Sequence, residues 1–147
     1  MQWPDRFCEN KELYLKIVVC VCGQVGTKVA EALSLQKHQV TVIDRDVDTF
    51  RKLEAGTGCR FVVGDATDQE ILRKAETETA DAFVALTGED NANLFAAQVA
   101  KELLKVRKVI VRLADPVRAT AFAELGLTTV CGTDLMADLI GQKLVGR

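Results

Sequence analysis

Short runs of β-branched residues alternate along the chain with longer stretches of mixed polarity. The runs predict six strands, at residues 17–22, 39–44, 60–63, 82–87, 108–113 and 128–131. In the connections between them apolar residues recur at helical spacing, as Val25, Val29 and Leu33 do after the first run. Strands that alternate with helices build a parallel sheet that the helices cover on both faces.

The other connections show the same helical spacing. It is carried by Val47, Phe50 and Leu53, by Leu94, Ala97 and Leu104, and by Val117, Ala121 and Leu125, while the third helix, near residues 71–75, is short. Six parallel strands with helical crossovers indicate an α/β fold of the Rossmann type, a doubly wound sheet in the order 3-2-1-4-5-6. Ligands of such sheets bind where the carboxyl ends of strands 1 and 4 meet.

The 147 residues provide for one domain of ordinary size. We assign residues 16–133 to the sheet and residues 1–15 to a leader that either packs on a neighbour or is partly ordered. Residues 134–147 are predicted to begin as an amphipathic helix, with Leu135, Leu139 and Ile140 on one side, and this helix is a candidate interface.

Composition excludes several classes of protein. Nineteen Lys and Arg residues against 21 Asp and Glu give a net charge of −2, so we expect no nucleic-acid partner. No apolar run reaches the 18 or so residues of a membrane span, and the start lacks the pattern of a signal peptide. We therefore expect a cytoplasmic protein that does not insert into the membrane.

The cysteines favour neither a metal site nor a disulfide framework. Five of them are scattered without a C-x-x-C pair, and His38 is the only histidine. Cys20 and Cys22 would face the same way on a strand, which a metal site could use, but without a second pair we favour core packing.

The turn after the first strand carries a candidate phosphate site. Residues 21–26 read V-C-G-Q-V-G, the dinucleotide fingerprint G-x-G-x-x-G with Val21 in place of the first glycine. Gly23 would let the backbone approach a phosphate, Gly26 would let helix pack on strand, and the helix that starts at Gln24 and Val25 would supply free N–H groups. Close packing without any ligand explains two such glycines about as often.

Asp44 ends the second strand, about 20 residues beyond the glycines. A carboxylate there accepts hydrogen bonds from the ribose of an adenosine and repels a 2′-phosphate, which favours NAD(H) or an adenine mononucleotide over NADP. Arg45 argues weakly in the other direction. Asp44 could instead cap the next helix, but Asp46 can fill that role. For Asp65, at the end of the third strand, we favour binding over packing.

Five segments in this order resemble one family. They are V-C-G-Q-V-G, V-I-D-R-D, V-V-G-D-A-T-D, A-L-T-G-E-D-N-A-N-L and V-I-V-R-L-A-D-P. The set is similar to the amino-terminal nucleotide-binding domain of RCK proteins, also called KTN or TrkA-N, which regulate potassium channels and transporters. The resemblance covers residues 16–140, so residues 16–133 would form the nucleotide-binding domain. Family members often have arginine where Gln24 stands and continue into a second domain.

The resemblance implies a role for each matching position. Gly23 and Gly26 would contact the phosphates, Asp44 the ribose, and Asp65, Ala66 and Thr67 the adenosine end. Thr87 and Gly88 would line the crevice. Asp90 and Asn93 would belong to the helix-start motif, and Arg112 would lie near the dimer-facing side of the site. Alternatives are that Asp68 and Asp90 are simple helix caps and that Arg112 makes a surface ion pair.

The chain offers no convincing acid-base pair, because His38 is expected at the end opposite the crevice and Tyr14 precedes the fold. We therefore expect a nucleotide sensor and not an enzyme. The ligand would be NAD(H), with ATP, ADP or AMP as alternatives. The partner would be a membrane potassium transporter or channel subunit, which a homodimer or ring would contact at the inner face of the membrane. A small NAD-dependent oxidoreductase and an assembly module that has lost its ligand remain the alternatives.

Overall fold

The computed structural model of the protein describes residues 14–21, 23–53 and 57–146. The strands are β1 (Lys16–Val21), β2 (Gln39–Asp44), β3 (Arg60–Val63), β4 (Ala82–Leu86), β5 (Lys108–Arg112) and β6 (Thr128–Val130). The α-helices are α1 (Gln24–Leu35), α2 (Val47–Leu53), α3 (Gln69–Lys74), α4 (Asp90–Gln98), α5 (Pro116–Glu124) and α6 (Gly132–Val145). A 3₁₀ turn (Thr77–Thr79) precedes β4, and a π-helical segment (Val99–Leu103) continues α4. The predictions for residues 1–13 and for Cys22 fall outside the described residues.

The sheet is parallel throughout, in the order β3-β2-β1-β4-β5-β6. This confirms the predicted fold class and strand order. Strands β1 and β4 lie at the centre and pair in register up to Val21 and Leu86. Their carboxyl ends therefore lie side by side at one end of the strands, where the chain leaves β1 for α1 and leaves β4 for α4.

Apolar side chains cover both faces of the central strand. Ile17, Val19 and Val21 belong to the cluster on the side of α1, whereas Val18 and Cys20 belong to the cluster on the side of α4. A strand buried on both faces reads as a continuous apolar run and not as an alternating one, which is why β1 was recognisable. Cys20 is fully buried, as the core interpretation predicted.

Helix α5 lies where the sequence predicted it, but a different face packs. Val117 and Leu125 are 76% and 74% exposed, and Ala121 is exposed as well. The helix instead buries Ala119 and packs Phe122 against the core. Ala119 lies about 200° around the helix from both Val117 and Ala121, so the stripe read from the sequence faces away from the core.

Helix α6 follows the edge strand β6 and buries none of its residues. Leu139 and Ile140 are 48% and 51% exposed. This helix therefore contributes little to the core of the described chain. None of the helices in the described ranges combines the length and the apolar character that a membrane-spanning helix needs.

Candidate functional site

The β1–α1 turn is built around Gly23. Its φ of 84° and ψ of −160° fall in a region that only glycine adopts without strain. Thr27 donates two hydrogen bonds to the Gly23 carbonyl oxygen, from its N–H at 3.3 Å and its hydroxyl at 2.9 Å. The N–H groups of the first turn of α1 have no acceptor within the helix, so this end of α1 offers donors and a positive dipole.

Val21 and Gly26 fit each other across this turn. Val21 still belongs to β1 and is buried, and a Cβ atom on Gly26 would lie 2.6 Å from its Cβ atom. The strand thus continues through the position of the first fingerprint glycine, and the tight turn falls at Gly23. Valine is accommodated because Gly26 leaves the space that its side chain fills.

A crevice of about 690 Å³ opens at the carboxyl ends of the strands, within the size range of small-molecule sites. The predicted site residues in its lining are Asp44, Arg45, Asp65, Ala66, Thr67, Thr87 and Gly88. Sequence reasoning did not select the other residues that line it, which are Val21, Ile43, Gly64, Glu89, Asn91, Ala92 and Phe95.

Asp44 lies at the crevice, and one of its two carboxylate oxygens accepts no hydrogen bond from the described residues. Its side chain is at the end of β2, and the residue is only 7% exposed. Oδ1 accepts a hydrogen bond from the Asp46 N–H at 3.0 Å, whereas Oδ2 is buried and has no donor among the described residues. The capping role falls to Asp46, whose Oδ1 accepts the Asp48 N–H at 2.9 Å. A buried oxygen without a donor is costly, so this position is suited to an incoming hydroxyl group.

Asp65, which follows the neighbouring strand β3, is held as a carboxylate at the crevice. Its Oδ1 accepts the Thr67 N–H at 2.9 Å and the Thr67 hydroxyl at 2.8 Å, and Arg45 Nη1 lies 3.7 Å from its Oδ2. The backbone hydrogen bond from Thr67, then the hydroxyl bond, hold the pKa of Asp65 below its usual range. Asp65 is therefore ionised at neutral pH.

Cys20 lies beneath these carboxylates and is chemically inert. Burial, with the charges of Asp44 and Asp65 added to it, raises the pKa of the Cys20 thiol far above neutrality. A thiol that stays protonated is a poor nucleophile and a poor metal ligand. Cys20 thus serves the core under the crevice.

Asn93 lies next to the crevice lining and holds the loop after β4 in place. The residue is 1% exposed. Its Oδ1 accepts the N–H and the hydroxyl of Thr87 at 2.9 and 2.6 Å, and its Nδ2 donates to the carbonyls of Thr87 and Arg112 at 2.9 and 3.0 Å. Both functional groups of the amide are therefore occupied within the protein. Arg112 takes part in this arrangement through its backbone.

Asp90 joins α4 to the loop that follows β5. Its carboxylate accepts the Ala114 N–H at 2.9 Å and the Asp115 N–H at 3.2 Å. Asp115 in turn caps α5 by accepting the Val117 N–H at 2.9 Å. Asp90, Asn93 and Arg112, which the sequence suggested for the site, are thus placed behind the crevice lining.

The fingerprint residues face a second, smaller depression of about 250 Å³ between α1 and α2. Gly23 and Gln24 line it together with Thr27, Lys28, Glu31, Thr49 and Lys52. Val25 is exposed and Gly26 is buried. The predicted site residues therefore fall into three neighbouring groups: the crevice, the start of α1 and the hydrogen-bonded support behind the crevice.

Residues 17–133 match the sequence profile of the TrkA-N domain. The chain belongs to the TrkA-N domain family. This TrkA-N domain is 43% identical over 131 residues to the Trk system potassium uptake protein TrkA of Streptomyces coelicolor, covering 89% of this chain and 59% of that protein. It is 37% identical over 109 residues to a TrkA homolog of Pyrococcus abyssi, covering 74% of this chain and 48% of that protein. The chain spans about half the length of these curated relatives.

Solved structures share the fold of this TrkA-N domain. The TrkA-N domain of the inner membrane protein ybaL from Escherichia coli superposes with a TM-score of 0.79 at 20% identity, covering 90% of this chain and 98% of that one. The Shewanella denitrificans Kef CTD in AMP-bound form gives 0.72 at 20% identity over 90% and 82%. The GsuK channel bound to NAD gives 0.66 at 19% identity over 81% and 22%.

Proposed function

We propose that this TrkA-N domain binds an adenine nucleotide in the crevice, with NAD(H) as its first ligand, and thereby regulates a potassium transport system. The observation that carries the proposal is the buried Oδ2 of Asp44, which lies at the crevice without a donor among the described residues. The two hydroxyl groups of an adenosine ribose would supply the missing donors. Support comes from relatives named as potassium uptake proteins and from neighbours of the same fold bound to AMP and to NAD.

The charges around the ribose position favour NAD(H) over NADP(H). A 2′-phosphate would meet the carboxylate of Asp44, and like charges at close range repel strongly where water is excluded. Arg45 is the residue that could reverse this preference. Its guanidinium is already opposed by the carboxylate of Asp65 at 3.7 Å.

The proposed role is to sense the nucleotide without converting it. His38 lies just before β2, at the amino-terminal ends of the strands and so opposite the crevice, where its Nδ1 accepts the Leu15 N–H at 3.2 Å. Cys20 is a buried, protonated thiol. The rival function, an NAD-dependent oxidoreductase, would need a proton donor next to the ligand, and it predicts a change in nicotinamide absorbance when substrate is added.

The proposed partners are a membrane transport protein and further copies of this chain. We propose that the protein works on the cytoplasmic side, where it contacts a membrane potassium transporter or channel subunit and forms a homodimer or a larger ring. Helix α6 supports self-association because its leucine and isoleucine side chains are exposed to solvent. Nucleotide binding would then bias the arrangement of the assembly.

The test is a calorimetric and thermal-shift titration with NAD, NADH, NADPH and AMP, applied to the native protein and to Asp44→Asn. The variant keeps an oxygen for the Asp46 N–H and loses the charge, so NADH affinity should fall roughly ten- to hundredfold, the worth of a hydrogen bond to a charged group. Asp68→Asn is the matched control, because Asp68 caps α3 outside the crevice and asparagine caps equally well.

The ligand-free Asp44→Asn variant should be no less stable than the native protein. The Asp46 N–H keeps its acceptor, and a buried charge is removed. Equal NADH affinity of Asp44→Asn and the native protein would refute the assigned site. Turnover of the nicotinamide in the presence of a substrate would favour the oxidoreductase.

A further inference from the structure

A side chain takes the place of a backbone acceptor where the chain enters β1. Leu15 precedes β1, lies opposite His38 in the register of the sheet and packs against the core on the side of α1. Its carbonyl oxygen accepts the Gln39 N–H at 2.9 Å, and its own N–H donates to Nδ1 of His38 at 3.2 Å. In a parallel ladder the second bond goes to a carbonyl of the neighbouring strand. The imidazole therefore extends the pairing of β1 with β2 by one residue.

The end of α1 fixes the position of His38. Lys37 has a left-handed backbone with a φ of 67°, and its N–H donates to the Ser34 carbonyl at 2.9 Å. The N–H of His38 donates to the Leu33 carbonyl at 3.2 Å. These two bonds form a Schellman motif, which ends the helix and satisfies its last carbonyls. The ring of His38 is thus presented to Leu15 by a backbone that is already held.

Only the neutral imidazole can make this contact. A ring nitrogen that accepts a hydrogen bond carries no proton, so Nε2 holds the proton of the neutral ring. In the protonated ring both nitrogens are donors, and Nδ1–H would then face the N–H of Leu15. Burial of the ring lowers the pKa of His38 below its ordinary range and acts in the same direction.

The charged groups at this end of the sheet do not favour the protonated ring. Lys37 is adjacent in the chain and Lys16 begins β1, and both are cations. Asp81 accepts the Lys16 N–H at 2.8 Å, and Glu76 accepts a hydrogen bond from the Lys16 ammonium at 3.1 Å. Tyr14, also at this end, is an exposed phenol. Within the described ranges no carboxylate forms an ion pair with the imidazole, so protonation breaks the contact without gaining a counter-charge.

We infer that His38 is a proton-sensitive clip, which fastens the entry of β1 to the start of β2 while the ring is neutral and releases it when the ring is protonated. The ligand of this site is the proton. His38 is the only histidine of the chain, and histidine is the side chain whose ordinary titration falls between about pH 5 and 8. The clip goes beyond the proposed nucleotide function and does not depend on it, because it lies at the opposite ends of the strands from the crevice.

The direction of the pH effect follows from the lowered pKa of His38. The unfastened ring binds a proton more readily than the fastened ring, so the contact is complete above the ordinary histidine pKa of about 6.5 and weakens as the pH falls below it. Opening is linked to the uptake of one proton. The open fraction should therefore rise by up to about tenfold for each pH unit below about 6.5.

The test follows the imidazole and the Leu15 amide of the full chain by nuclear magnetic resonance between about pH 7.5 and 5. The imidazole signals need no assignment because the chain has one histidine. The protection factor of the Leu15 amide in hydrogen exchange should stay constant above about pH 7 and fall in step with the titration of the ring. The amide of Val18, which is fully buried in β1, is the internal control and should keep its protection.

Two variants separate the proton from the hydrogen bond. His38→Asn offers an amide oxygen near the position of Nδ1 and does not titrate, so the Leu15 amide should stay protected and lose its pH dependence. His38→Ala removes the acceptor, so this amide should exchange rapidly at every pH. Gln39→Ala is the matched control, because the exposed side chain of Gln39 is removed while its backbone N–H still donates to Leu15, and the pH dependence should persist.

Two results would overturn the clip. One is an imidazole that titrates while the Leu15 amide keeps its full protection, and the other is a pH dependence that persists in His38→Asn. Neither result bears on nucleotide binding, which is measured at the other end of the strands.

Discussion

At the scale of single residues, the β1–α1 turn depends on one large and one small side chain. Val21 fills the space that Gly26 leaves, and Gly23 supplies the backbone angles that the turn needs. The sequence predicted roles for Gly23 and Gly26 from the fingerprint alone. It could not predict that valine is tolerated at position 21, because that depends on where β1 ends and how closely α1 approaches it.

This fit predicts that the effects of Val21 and Gly26 are coupled. Gly26→Ala should destabilise the fold by about 1–3 kcal/mol, because its methyl group would overlap with Val21. Val21→Gly should also destabilise, because a buried side chain is lost and glycine weakens a strand. In the double variant the new methyl group occupies the vacated space. The double variant should therefore lose less unfolding free energy than the two single variants together, by at least about 0.5 kcal/mol. Urea unfolding measures all three, and strictly additive effects would contradict the fit.

At the scale of elements, the loop after β4 is held in place by side chains at the start of α4. Asn93 ties Thr87 to the carbonyl of Arg112, and Asp90 ties the start of α4 to the loop after β5. The two helix residues thereby join the carboxyl ends of β4 and β5. The crevice lining on this side depends on that connection.

Asn93→Ala should therefore cost about 3 kcal/mol or more, since several buried polar groups lose their partners at once. Asn91→Ala is the matched control on the same helix. Its Oδ1 accepts one bond from Arg118 at an exposed position, so its loss should stay under about 1 kcal/mol. Chemical unfolding measures both values. Similar costs for the two variants would show that Asn93 does not hold the loop.

The elements also show how far sequence reasoning reaches. All six strands were placed to within about one residue at each end, because each is a β-branched run bounded by turn residues. In β1, β2 and β4 the run is also buried on both faces. The prediction of which face of α5 packs against the core was wrong, since the apolar residues of this helix lie on more than one side. Asn91 and Phe95 of the crevice were missed, although their spacing of four places them on one face of α4. Which face of a helix meets the crevice depends on tertiary packing.

At the scale of the whole molecule, α6 is a helix whose residues all remain exposed in the described chain. Leu139 and Ile140 are adjacent and about half exposed, with Leu135 one turn before Leu139. Exposed apolar side chains grouped in this way are typical of an interface. A second copy of the chain is the occupant that we propose, since a symmetric pair would cover both helices at once.

Leu139→Asp should accordingly shift the protein toward the monomer in sedimentation or light-scattering measurements. A charge would be buried in the proposed interface, so the dimer should weaken by at least tenfold in dissociation constant. Leu35→Asp is the control, because Leu35 is 80% exposed at the end of α1, away from this group. A native protein that stays monomeric at high concentration would contradict the proposal and would leave α6 for a different protein to cover.

The unpartnered oxygen of Asp44 has a consequence for the lifetime of the protein in the cell. A hydroxyl group that satisfies it stabilises the native state in proportion to ligand occupancy. Molecules without ligand unfold more often, and proteases remove the unfolded fraction continuously. If the site is occupied as proposed, the abundance of the protein rises and falls with the supply of its nucleotide. The cell would then read the nucleotide level over hours from the number of copies, as well as at once from their arrangement.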